Sequence, residues 1–141
     1  MMGSAKITGG CLCGMVRFSI SATPIITRQC WCRDCQYLAS GNATVNVCFP
    51  ADAVQITGET SAFNSTAASG NQMVRRFCPG CGTPLTSAAV ARPHLLFIRA
   101  GTLDDPDLAK PAMNIWTASA PSWACIDPNI PAIAGQPPPA G

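Results

Sequence analysis

A single, mostly β domain tied together by cysteines is the fold this sequence predicts, and three observations predict it. Apolar residues recur at a period of two over short runs, as they do in half-buried strands. Glycine and proline punctuate those runs, and no long stretch carries helical periodicity. Seven of the nine cysteines fall into three tight groups, which points to metal or thiol chemistry.

The first clear strand is expected over residues 15–20, where Val16, Phe18 and Ile20 share one face and Met15, Arg17 and Ser19 the other. Residues 25–29 lead into the second cysteine group. Over 43–49 the alternation returns, with Val45, Val47 and Phe49 opposed to Thr44, Asn46 and Cys48. Further strands are expected over 54–57, 73–77 and 95–100, with Gly58, Gly70-Asn71, Pro79-Gly80 and Gly101 as turns or strand ends. Helix is confined to 33–39, which stops at Gly41-Asn42. Pro106 limits 103–109 to a single turn. The domain is expected to span 5–131, and 132–141, ending GQPPPAG, to be a Pro-rich, disordered or polyproline-like tail.

Composition excludes several classes. A chain of 141 residues has the size of one domain. Apolar residues reach 48% and charged ones 11%, against roughly 25% in ordinary soluble domains, the reverse of a disordered chain. No run approaches the ~20 apolar residues of a spanning helix, so no membrane partner is expected. A net charge of +2 without a basic block excludes the footprint of a nucleic-acid binder. An odd cysteine count and an amino terminus (MMGSAKITGG) without an apolar leader core argue against a secreted disulfide scaffold. A reducing, cytoplasmic setting is expected.

The groups are Cys11-Leu12-Cys13, Cys30-Trp31-Cys32-Arg33-Asp34-Cys35 and Cys78-Pro79-Gly80-Cys81-Gly82. Zn²⁺ takes thiolates at about 2.3 Å in a tetrahedron, and a C-x-x-C turn spans one edge of it. Two pairs close one four-thiolate site, and the middle group leaves three thiolates over. That arithmetic assigns Cys11, Cys13, Cys78 and Cys81 to a structural zinc, and Cys30, Cys32 and Cys35 to a second, open one. Spacing also admits Cys48 or His94 closing the second site, or Cys30 and Cys35 pairing with Cys78 and Cys81. A thioredoxin-like dithiol would need a βαβ context that the chain does not offer.

Over residues 9–131 the chain resembles the glutathione-dependent formaldehyde-activating enzymes, whose domain is shared with centromere protein V. The resemblance rests on GGCLCGMVRF, CWCRDCQYLASG, RRFCPGCGTPL and PAMNIWTASAPSW. It implies a β-tent of small antiparallel sheets around zinc, with the first and last cysteine pairs on one ion and the middle triplet on the other. Trp31 and Asn114 stand where members often have histidine or another polar residue. Neither is a ligand position, and they bear on substrate recognition instead.

The resemblance implies a zinc-dependent carbon–sulfur lyase acting on adducts of glutathione, or a similar thiol, with an aldehyde. Two Zn²⁺ per chain are expected, with the thiol as co-substrate. The alternative is a non-catalytic zinc module that binds another protein. Outside the ligand sets, Cys48 is read as a small buried residue, or with Asn46 as pocket wall. Cys125 is incidental and His94 solvent-facing. Arg33, inside the triplet, is the candidate for stabilising thiolates or meeting an anion. One of Arg75 and Arg76 should point inward, and Trp116 and Trp123 should be core or pocket-wall residues.

Overall fold

In the computed structural model residues 6–141 are described; the domain start expected at residue 5, and the first residues on which the leader-free reading rests, lie outside them. Three strands, β1 (Ile7–Gly10), β2 (Arg17–Ile20) and β5 (Val54–Thr57), make an antiparallel sheet in the order β1-β2-β5. The larger sheet has seven strands: β3 (Ile26–Cys30), β4 (Thr44–Pro50), β6 (Ser61–Thr66), β7 (Gln72–Phe77), β8 (Pro84–Ala89), β9 (Leu95–Arg99) and β10 (Met113–Ile115). Their order is β10-β3-β4-β9-β8-β7-β6, antiparallel except for the β10–β3 pair. The one α-helix among the described residues is α1, Arg33–Leu38. The mostly β expectation is met, with one sheet broader than the small sheets anticipated. No helix is long and apolar enough to cross a membrane.

The pleat of the large sheet sorts residues into two environments. Val47, Phe49 and Ile98 project to one side, where they join Phe18 and Ile20 of the small sheet, Leu103 and Ala109 in the main core. The other side carries Arg28, Asn46 and Arg99, directly opposed across β3, β4 and β9. The alternation read over 43–49 is therefore the division between core and cavity. Phe49 is fully buried, and Phe49→Ala is expected to cost about 3–5 kcal/mol in chemical denaturation. A loss below 1 kcal/mol would contradict this packing.

The small sheet is anchored from outside the core as well. Arg17 and Thr8 both donate to the Asp104 carboxylate, whose acidity they hold at about 2. A Cβ on Gly9 would run into the Thr102 carbonyl and the Phe18 ring, which is why glycine stands there. The segment 132–141, expected to be disordered or polyproline-like, lies back against the large sheet. The Ile133 amide donates to Asn114 O at 2.9 Å, Arg28 Nη2 donates to Pro138 O at 3.1 Å, and Pro137 is buried.

Candidate metal centres and the adjoining cavity

Cys11 and Cys13 lie in the β1–β2 turn, and Cys78 and Cys81 in the β7–β8 turn. Loop chemistry brings the two turns together. The Cys11–Cys13 and Cys13–Cys78 sulfurs are 3.5 and 3.7 Å apart, near the ~3.8 Å edge of a tetrahedron built on ~2.3 Å zinc–sulfur bonds. All four sulfurs lie within 4.8 Å of one another. Amides point at them: Val16 N donates to Cys11 Sγ and Gly80 N to Cys78 Sγ, each at 3.3 Å. The Thr83 hydroxyl, 3.1 Å from Cys81 Sγ, leads the contacts that hold that thiol low, at about 5. Gly82 supplies the left-handed residue (φ 77°) that closes the knuckle. Val16 and Leu85 pack beneath. This donor set fits zinc.

The second centre forms where β3 runs into α1. Cys30 ends the strand, and Cys32 is the N-cap of the helix, its sulfur accepting from Cys35 N at 3.3 Å. Their three sulfurs also lie within 4.8 Å of one another. No fourth Cys, His, Asp or Glu joins them among the described residues. Thiol donation from Cys30 and Cys32, with help from Thr44 and Arg99, pushes Cys35 down, while contacts with Cys32 and Cys35, and burial, push Cys30 up. Beneath the centre, Trp31 Nε1 donates to Asn114 Oδ1 at 3.3 Å and Trp31 N to Ile115 O. The two residues that depart from the family pattern are thus each other's partners, both buried and neither lining the cavity.

The three cysteines open onto a cavity of about 520 Å³, while the four-cysteine centre does not line it. Arg28, Arg75, Arg92 and Arg99 also line it, and among the described residues no Asp, Glu or His does. Arg28, Arg75 and Arg99 are only 7–8% exposed. Arg99 donates to Asn46 Oδ1, Arg75 to Ser65 Oγ, and Arg75 meets Asp34 at 3.5 Å. The Nε atoms of all four arginines are buried without a partner. Burial lowers the pKa of Arg28 and Arg99, the expense of holding guanidinium groups out of water.

Several sequence expectations change here. Arg33 is exposed, bonded to Gln36 and stacked 5.1 Å from the Tyr37 ring, because the first helical position points away from the sulfurs. Trp123 is 63% exposed, whereas Trp116 lines the cavity in a left-handed conformation, its Nε1 donating to Gln136. Cys48 is fully enclosed and does not line the cavity, although Asn46 does. His94 and Cys125 are exposed, and neither they nor Cys48 join a cysteine cluster. Arg75 points in and Arg76 out, to Thr60. The sequence reading missed Arg28, Arg92 and Arg99. A signal existed: Arg28 stands two residues before Cys30 on a strand and therefore shares its face.

Two sheets carrying one four-sulfur and one three-sulfur cluster define a β protein with two candidate metal centres. The model of the glutathione-dependent formaldehyde-activating enzyme family matches residues 6–119, and the chain belongs to that family. Among solved structures, a Rhodobacter sphaeroides protein shares its fold, with a TM-score of 0.58 at 16% identity over 74% of this chain and 96% of that one. Among curated proteins, none matches.

Proposed function

We propose that the chain is a carbon–sulfur lyase that splits adducts of glutathione, or a similar thiol, with an aldehyde. One observation carries the reading: the three-cysteine centre, and not the four-cysteine one, opens onto a small-molecule cavity. A volume of about 520 Å³ lies within the ~300–1,000 Å³ of ligand pockets. An ion at Cys30, Cys32 and Cys35 would supply an open position at which a thiol loses its proton.

The chain's own groups do the rest. Arg99 lies beside Cys35 and Cys30 and stabilises negative charge there, and Asn46 holds the Arg99 fork in place. In the cleavage direction the adduct's carbon–sulfur bond breaks with its electron pair going to sulfur, and the hydroxyl oxygen becomes the aldehyde carbonyl. Among the described residues no carboxylate or imidazole lines the cavity, so the hydroxyl proton passes to water and the sulfur departs as a thiolate. Free thiols at all nine cysteines suit a reducing, cytoplasmic setting.

The interaction-module alternative requires four protein ligands at both centres. X-ray absorption at the zinc edge separates the two readings. Two zinc ions per chain are expected, one in a four-sulfur environment and one that gains a sulfur neighbour when glutathione is added. Two four-sulfur sites indifferent to added thiol would leave only the module.

A further inference from the structure

The arginines of the cavity exceed what its sulfurs need. Among the described residues the salt bridges are Arg17–Asp104 and Arg75–Asp34, so Arg28, Arg92 and Arg99 have no acid partner. They form two groups. Arg99 lies within electrostatic reach of Cys35 and of Arg75. Arg28 and Arg92 both lie within electrostatic reach of the enclosed Cys48, and Arg28 also of Cys30. Arg28 spends one nitrogen on the Pro138 carbonyl and rests 6.0 Å from the Phe97 ring centroid, while its Nε has no partner. The Nε of Arg92 is likewise buried and unbonded.

Arg28, more than nine-tenths buried with an unpartnered Nε, and Arg92, likewise without an acid partner, both line the cavity and mark a place where an acceptor belongs. Arg28 and Cys30 share one face of β3 and are separated by one pleat repeat, about 7 Å. A ligand whose sulfur lies at the cysteines can therefore meet Arg28 with another of its groups. Among the described residues the lining has no carboxylate to receive an ammonium group.

Resting on the thiol-site reading above, we infer that the cavity selects acidic thiols: Arg28 and Arg92 receive a carboxylate remote from the sulfur, and no ammonium group enters. For glutathione this fixes the orientation. The glycyl carboxylate, which carries no amine, goes in to Arg28 and Arg92. The γ-glutamyl end, with its ammonium, stays at the mouth beside Trp116 and the 136–140 segment.

The test is calorimetric titration of the zinc-loaded protein with glutathione, its glycyl ethyl ester, N-acetylglutathione and 2-mercaptoethanol. Blocking the glycyl carboxylate is expected to weaken binding roughly ten-fold or more, the scale of a lost charged hydrogen bond. Acetylating the amine should leave affinity within about two-fold, since on this orientation the amine contacts water. Arg92→Gln, at a half-buried position where folding is not at stake, should remove the preference for glutathione over its ester while leaving ester affinity unchanged; Arg28→Gln should do the same.

An ester that binds as well as glutathione overturns the inference but leaves the thiol site standing. So does an Arg92→Gln variant that weakens both ligands equally, or an acetylated thiol that binds as poorly as the ester. If no thiol binds, 2-mercaptoethanol included, the thiol-site reading falls and this inference with it.

Discussion

Cys78→Ser is expected to yield no folded, soluble protein. Cys78 has no exposed surface, receives the Gly80 amide on its sulfur and packs with Val16 and Leu85 where the two sheets are joined. Structural zinc contributes on the order of 10–16 kcal/mol in zinc-finger peptides, comparable to the whole stability of a domain, about 5–15 kcal/mol. Losing one ligand of four therefore removes most of what holds the β1–β2 turn to the β7–β8 turn. Soluble yield, far-ultraviolet circular dichroism and zinc per chain are the measurements. A soluble variant with parental zinc content would show that Cys78 is no ligand.

Cys32→Ser should have the opposite profile. Serine is itself a favoured N-cap, so the hydroxyl keeps the bond from the Cys35 amide and α1 survives. What it removes is a thiolate from a centre that has three. The variant should melt within a few degrees of the parent, carry one zinc instead of two, and lose lyase activity to background. That loss exceeds the roughly 10–100-fold that follows removal of an outer hydrogen-bond partner of a metal ligand. It should also abolish the response of the zinc-edge spectrum to glutathione. Retained activity with a single zinc would take the chemistry away from this centre.

What the sequence made legible was whatever local chemistry dictates. The alternation around Val47 and Phe49, the cysteine spacings and the glycines of the knuckle all act within a few residues, and the structure places them as expected. The rest depends on partners distant in the chain. β8 reads PLTSAA and β6 reads SAFNST, small and polar segments whose strand state comes from neighbours on the sheet. β10 has three residues, and it exists because β3 and residues 131–133 supply its hydrogen bonds. Arg33 drew attention through its place in a motif, yet helix geometry turns it outward. Arg99 belongs to the site because Asn46 stands opposite it on another strand, a register that no local pattern encodes.

The division of each central strand into a cavity side and a core side also bears on how such a protein can change. Along β4 and β9, residues 46, 97 and 99 face the cavity while 47, 49 and 98 face the packed interior, with no position serving both. Substrate preference can therefore drift by single substitutions at every other residue, while the alternate residues keep the fold above its stability threshold. No insertion or loop redesign is required. A lineage built on this sheet has a short mutational path from one small ligand to the next, and the cysteine clusters need not move along it.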